Sequence, residues 1–235
     1  NSTGVLSHSA LVISGFDSSA VSASQEVSVA YLALPALTFF VVIIDANGET
    51  PTAAEYFTFD APTRTITGYN IQGGLNVVIP ASFDVYGVDV PVERIGTDEQ
   101  VPFNGKNITR VVLPQGLIHI GANAFAGNLL TSIVLPESLK SIDMAAFYNN
   151  RLQGKLVLPA GLKSLGIYAF ESNLLTEVIL PAAVTTITER AFGRNNFRSL
   201  TIPANIRNVG MVAFMDAPVT KITIGGGVQF AMFPV

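Results

Sequence analysis

Residues 130–150 read LTSIVLPESLKSIDMAAFYNN, and residues 175–195 read LTEVILPAAVTTITERAFGRN. The two stretches place the same residue types in the same order, and the pattern recurs along the chain. A proline ends a short apolar run at intervals of 22 or 23 residues, at Pro114, Pro136, Pro159, Pro181 and Pro203. Each proline is followed by an Ala-Phe pair that ends at Phe125, Phe147, Phe170, Phe192 or Phe214. These coincident columns predict one repeated structural unit that stacks into a solenoid.

Each column has a physical role in such a stack. The run before each proline alternates, so two of its residues point inwards and two point outwards. The inward pairs are aliphatic: Val111/Leu113, Ile133/Leu135, Leu156/Leu158, Val178/Leu180, Leu200/Ile202 and Ile222/Ile224. Asparagines stand three residues after four of the phenylalanines, at Asn128, Asn150, Asn173 and Asn195, where we expect bonds to the backbone of their own turn and the next. The sequence therefore predicts a mainly β fold with a parallel sheet.

The residues of the repeat identify its type more specifically than its length does. A strand ending in Ile-Pro or Leu-Pro, a run to Ile-Gly and then Ala-Phe resembles the consensus of BspA-like leucine-rich repeats. The resemblance covers about residues 60–230 and implies a leucine-rich-repeat solenoid of about six units. Three features depart from it: Asp143 and Thr188 replace the usual glycine, Gly154 is an insertion, and residues 81–94 lengthen the first unit. We expect these to change local turn geometry only.

Charge divides the chain near residue 60. Residues 1–60 hold six acidic side chains and no lysine or arginine, whereas the remaining residues hold 13 basic and 11 acidic groups. This shift predicts a domain boundary between a small β-rich N-terminal region, residues 1–60, and the solenoid, residues 61–235. One interpretation of the first region is a module that caps the open end of the array.

Residues 27–44 (VSVAYLALPALTFFVVII) are long and apolar enough for a transmembrane segment. Their flanking residues, Glu26 and Asp45, are acidic, and no basic residue occurs before Arg64, which disfavours membrane insertion. Pro35 divides the stretch into two β-rich runs, residues 27–34 and 37–44. The prediction is two buried strands and no membrane span.

Composition excludes several classes of function. The 235-residue, 24.9 kDa chain is 49% hydrophobic and 13% charged, which is typical of a folded domain. Its net charge of -4 argues against nucleic acid as a partner. It contains no cysteine and two histidines, and we expect no metal and no cofactor. His119 occupies an outward repeat position and is interpreted as a solvated surface residue, so no catalytic residue is predicted and the protein is expected not to be an enzyme.

The outward strand positions supply the candidate site. They form one row of polar and charged residues and, beside it, a row of β-branched residues. The predicted ligand-binding face comprises Arg110, Val112, Val134, Lys155, Val157, Glu177, Ile179, Thr201, Lys221 and Thr223. Exposed apolar rows of this kind mark binding surfaces, but β-branched residues also favour strands for structural reasons, and another element would then cover them.

These features favour a non-enzymatic binding module that is extracellular or on a cell surface. The resemblance implies adhesion, because BspA-like proteins are typically surface proteins of host-associated bacteria, with relatives in some protozoa. The expected ligand is a protein or glycan of a host or neighbouring cell, bound through the sheet face. The alternative is a structural spacer that displays another domain and has no ligand of its own. The sequence leaves the oligomeric state open.

Overall fold

A computed structural model of the chain describes residues 49–230. The strands predicted at residues 27–34 and 37–44 lie outside the described residues, as does most of the predicted N-terminal region. The domain boundary near residue 60 therefore stays a prediction. Within residues 49–230 the chain forms a β-solenoid, which confirms the predicted mainly β, leucine-rich-repeat architecture.

Most repeats form one coil with a longer strand and a shorter strand, and equivalent strands of neighbouring coils pair in several separate sheets. We number the strands β1–β17 in chain order. The longer strands define the long-strand face: β3 (Asn76–Val78), β7 (Arg110–Val112), β10 (Gln153–Val157), β12 (Leu174–Ile179), β14 (Ser199–Ile202) and β16 (Lys221–Ile224). The pairs β3–β7, β10–β12 and β14–β16 are parallel, as predicted.

The shorter strands define the short-strand face, which is also built by parallel pairing. Its strands are β2 (Thr65–Tyr69), β6 (Arg94–Ile95), β8 (His119–Ile120), β9 (Ser141–Ile142), β11 (Ser164–Leu165), β13 (Thr186–Ile187), β15 (Asn208–Val209) and β17 (Gln229–Phe230). β1 (Phe57–Asp60) pairs antiparallel with β2 and covers the N-terminal edge of this face. Covering an edge prevents it from pairing with another chain.

Helical structure in the described residues is limited to two 3-10 turns, Ala54–Tyr56 and Ile71–Gly73. Neither is long and apolar enough to span a bilayer, and residues 49–230 hold no other candidate span.

A stack of phenylalanine rings runs through the core along the solenoid axis. The rings of Phe103, Phe125, Phe147, Phe170, Phe192 and Phe214 follow one another at centroid distances of 4.9–5.9 Å, with interplanar angles of at most 12°. Each offset ring pair adds about 0.5–1.5 kcal/mol to the burial of its apolar area. From Phe125 onwards, the alanine before each phenylalanine of the stack is buried as well.

Buried asparagines link neighbouring coils. Asn150 accepts a hydrogen bond from the backbone N–H of Leu130 through Oδ1 and donates through Nδ2 to the carbonyls of Phe125 and Phe147. Asn128, Asn173 and Asn195 repeat the arrangement. The predicted asparagine role is confirmed with one correction, since the partner coil is the preceding coil and not the following one.

One predicted strand is wrong. Residues 132–135 keep the alternation of buried and exposed side chains but form no strand, so the long-strand face is interrupted between β7 and β10. In the next coil Gln153 donates its N–H to the Thr131 carbonyl, and the inserted Gly154 follows at φ +71°. We attribute the interruption to this insertion, because the extra residue moves β10 out of register with residues 132–135.

The last inward pair also differs from the prediction. Ile222 and Ile224 are about half exposed, at 55% and 49%, whereas the equivalent Leu200 and Ile202 are buried. β16 is the last long strand of the described residues, so its inward side chains pack against one neighbouring coil instead of two.

The lengthened first unit forms a β-hairpin, which we call the hairpin. Its strands are β4 (Ser82–Val85) and β5 (Val88–Pro91), paired antiparallel. It leaves the solenoid at the edge where the chain turns from the long-strand to the short-strand face.

Candidate binding face

The predicted ligand-binding residues lie side by side on the long-strand face. Val157 is paired in register with Ile179, and Thr201 with Thr223. Lys155 stands opposite Glu177 in the same ladder, so the polar row and the β-branched row run parallel to each other. Paired strands are about 4.8 Å apart, so these side chains are neighbours within β10–β12 and within β14–β16, which are separate sheets.

The exposed part of the β-branched row is shorter than the sequence predicted. Val134 is 81% exposed, Val157 54% and Ile179 40%, whereas Val112 is partly buried. Val78, which is in register with Val112 on β3, is buried. The accessible aliphatic side chains are therefore Val134, Val157 and Ile179, and we call these three the apolar stripe.

The N-terminal end of the face is bonded to residues that precede the repeats. Thr52 donates its N–H to the Val78 carbonyl at 2.9 Å and accepts the Val78 N–H through Oγ1 at 3.0 Å. Arg110, a member of the predicted site, forms an ion pair with Glu49. The Thr52 bonds occupy the outer edge of β3, and the side chain of Arg110 is engaged with Glu49.

The charges beside the apolar stripe neutralise each other. Lys155 Nζ lies 3.1 Å from Glu177 Oε1, and both side chains are about half exposed. Exposed pairs of this kind contribute little to stability, at about 0–1 kcal/mol. The pair makes the rim of the apolar stripe polar and adds no net charge to it.

Towards the C-terminal end the row becomes polar. Thr201 and Thr223 continue the line of Ile179 and are exposed, as is Lys221 on β16. The structure thus brings the predicted residues onto one surface and divides them into an apolar centre and two polar ends.

His119 is not the solvated residue that the sequence predicted. Its side chain is 12% exposed, Nδ1 lies 2.6 Å from the Ser141 hydroxyl, and Nε2 lies 3.2 Å from Asp143 Oδ2. Burial lowers the pKa of His119 below its usual value, and this effect outweighs the opposing effect of Asp143. A neutral ring that carries its hydrogen on Nε2 satisfies both neighbours.

A buried charge cluster was also missed by the sequence analysis. The carboxylate of Glu171 is 3% exposed and lies 3.0 Å from Arg190 Nη2, while the Arg190 guanidinium lies 5.5 Å from the centre of the Tyr168 ring. The repeat columns do not signal it, since a Cβ at Gly193 would meet Glu171 Cγ at 3.5 Å, which is an ordinary contact. The pairing with Arg190 makes Glu171 a structural group.

Across residues 49–230, no three His, Asp or Glu side chains are placed to hold a metal ion together. Two shallow grooves, of about 400 Å³ and 340 Å³, lie on the last coils and open to solvent. Small-molecule sites usually enclose most of their ligand, whereas a long exposed sheet face suits a macromolecular partner.

Comparison with known proteins identifies the repeat. A family model described as a BspA type leucine rich repeat region matches residues 99–222 in six copies. Among proteins with curated descriptions, none matches the sequence significantly.

Several solved structures share the fold. A leucine-rich repeat protein from Bacteroides ovatus is 20% identical, with a TM-score of 0.50 and coverage of 74% of this chain and 52% of its own. A leucine rich cell surface protein from Faecalibacterium prausnitzii is 25% identical, with a TM-score of 0.51 and coverage of 74% of this chain and 53% of its own. The pneumococcal vaccine antigen PcpA is 19% identical, with a TM-score of 0.52 and coverage of 69% of this chain and 45% of its own. The chain thus spans about half the length of these proteins.

Proposed function

The chain belongs to the family of BspA-type leucine-rich repeats, and from that membership we propose that it is a non-enzymatic adhesion module that binds a protein at a cell surface. The apolar stripe carries the proposal. Val157 and Ile179 are exposed side by side on the paired strands β10 and β12, and Val134 is exposed at the equivalent position of the preceding coil, where each costs free energy in water.

The surroundings of the stripe fit a protein partner. Protein interfaces have an apolar centre and a polar rim, and the Lys155–Glu177 pair and the threonines supply such a rim. A specific interface covers about 800 Å² on each partner, so the rim must take part as well. The proposed extracellular or cell-surface location follows the family and agrees with the description of the similar Faecalibacterium prausnitzii protein as a cell surface protein.

The test is a binding screen of the 235-residue chain against immobilised extracellular-matrix proteins and glycans. Val157→Glu places a charge at the centre of the stripe and is expected to weaken a detected interaction at least tenfold, as at an interface hot spot. Ile167→Glu is the matched control, because Ile167 is an exposed aliphatic residue outside the long-strand face.

Circular dichroism must show that both variants keep the fold. Binding that survives Val157→Glu would move the site away from the stripe. A chain that binds nothing on the panel would favour the alternative role of a spacer that holds another domain.

A further inference from the structure

The hairpin is an addition to the repeat. Four residues separate Pro136 from the short strand that begins at Ser141, whereas thirteen residues separate Pro80 from Arg94. The additional residues do not enlarge the coil; they form β4 and β5 outside it. Neither the stacking of coils nor the apolar stripe requires them.

The base of the hairpin is fixed to the solenoid. The Phe83 ring stacks on the Phe59 ring at 4.6 Å and 17°, and its edge meets the Phe57 ring at 5.9 Å. Both partners belong to β1, which is itself paired with β2. The tip is therefore held in a defined position, and a partner that binds there does not have to order a loose loop.

The tip exposes a tyrosine in an unfavourable backbone conformation. Tyr86 is fully exposed and has φ +55°, and Gly87 follows at φ +81°. Two-residue turns with two positive φ values favour Asn-Gly or Asp-Gly, and a bulky residue at the first position is disfavoured. Val88, the next residue, is 62% exposed.

Positive φ values that recur at one repeat position have a different origin. The residue before each Ala-Phe pair adopts φ between 51° and 59°, at Asn123, Ala145, Tyr168, Arg190 and Val212. The coil imposes that conformation. Tyr86 belongs to no repeat column, so its conformation and exposure are local to the hairpin.

The hairpin also carries unbalanced charge. Asp84 and Asp89 face each other in the register of β4 and β5, both are exposed, and residues 81–92 contain no lysine or arginine. Like charges directly opposite in a strand pair are destabilising. A partner that brings positive charge would relieve this repulsion.

We propose that the hairpin tip is a second interaction surface, distinct from the apolar stripe, and that it binds a cationic segment of a partner protein. Lysine or arginine side chains of the partner pair with Asp84 and Asp89 and lie over the Tyr86 ring, whose face attracts cations. Val88 adds an apolar contact. The two carboxylates exclude nucleic acid and anionic lipid surfaces as the partner, because both are negatively charged.

The test uses an array of immobilised synthetic peptides in which Lys or Arg alternates with Leu, together with the same peptides with Glu in place of the basic residues. The full chain is expected to bind the cationic peptides at about 150 mM salt and not the acidic ones. Tyr86→Asn is expected to reduce binding about tenfold. The same variant is expected to keep or raise the unfolding midpoint, because asparagine suits the turn better.

The double variant Asp84→Asn/Asp89→Asn is expected to lose binding to a similar extent. Its control is Asp98→Asn/Glu99→Gln, which changes the net charge equally at two exposed acidic residues outside the hairpin. Equal losses in both double variants would mean non-specific attraction and would overturn the proposal. Wild-type affinity in Tyr86→Asn, or the absence of any bound cationic peptide, would overturn it as well.

Val157→Glu is expected to bind the cationic peptides normally, which separates this surface from the proposed adhesion face.

Discussion

Asn150 shows how much of the fold depends on one side-chain amide. It bonds an N–H of the preceding coil and carbonyls of two coils, in a place that water does not reach. Each buried backbone group left unpaired costs about 1–3 kcal/mol, so a residue that lacks either the donor or the acceptor fails here. Asparagine has both, and this explains its recurrence in four coils.

The burial of His119 is expected to make the stability of the solenoid depend on pH. Because its pKa is lowered in the folded state, the unfolded chain takes up the proton more readily once the pH falls below the usual value of 6.5. The free energy of unfolding is therefore expected to decrease as the pH falls from 7.5 to 5.5. Urea denaturation at a series of pH values measures this slope.

His119→Gln should reduce the slope, because glutamine does not titrate. An identical slope in His119→Gln and the wild type would show that Asp143 compensates for burial fully.

Gly166, which follows β11, illustrates the close contact between short strands of successive coils. A Cβ at this position would lie 2.3 Å from the Asp143 carbonyl carbon and 2.4 Å from the Met144 nitrogen, both in the preceding coil. Gly166→Ala is therefore expected to lower the free energy of unfolding by about 3 kcal/mol, since backbone atoms cannot move aside as a flexible side chain does. Chemical denaturation followed by circular dichroism provides the measurement.

Gly226→Ala is the matched control, because a Cβ there meets nothing within 4 Å. It should change stability by less than about 0.5 kcal/mol. A small effect of Gly166→Ala would mean that the coils can separate locally without loss of packing.

The elements that could be predicted from sequence are those that the repeat specifies several times. The phenylalanine stack, the asparagine bonds and the parallel pairing each follow from a column with four or more members, and each is present. The features that could not be predicted belong to single coils. Gly154 occurs in one coil and interrupts the long-strand face at residues 132–135. The contacts of His119 with Ser141 and Asp143 also occur in one coil and have no equivalent in the others.

The sequence was enough to predict which side chains form the exposed surface, but not which ligand that surface binds. Strand alternation placed Val134, Val157 and Ile179 outwards, and all three are exposed. The buried neighbour Val78 and the Arg110–Glu49 pair limit the stripe at one end, and both depend on residues outside the repeat columns. Ligand identity depends on side chains that the repeat leaves free to vary.

At the scale of the whole molecule, the array should tolerate the loss of one complete coil. Deletion of residues 115–136 joins Pro114 to Glu137 and keeps every column in phase, so that Asn150 would face the carbonyl of Phe103. Stability in a solenoid is approximately a sum over coils and their interfaces. The shortened chain should fold, with a urea m-value lower by about one-eighth, because the 22 deleted residues are about that share of the 182 residues in the range 49–230.

Deletion of residues 115–125 alone is the control. It removes about half a period and would place turn residues where strand residues belong, so this variant should not fold. If the complete-coil deletion also failed to fold, the coils would not be equivalent units.

The asparagine bonds and the backbone bonds of the paired strands connect neighbouring coils along the axis of the array. A mechanical load applied to the two ends therefore acts on the end coil first, and its bonds open in sequence instead of resisting together. Each detached coil of about 22 residues lengthens the chain by about 70–80 Å. An adhesive contact carried by such an array would yield under tension in small steps, and this extension would absorb work before the contact itself broke.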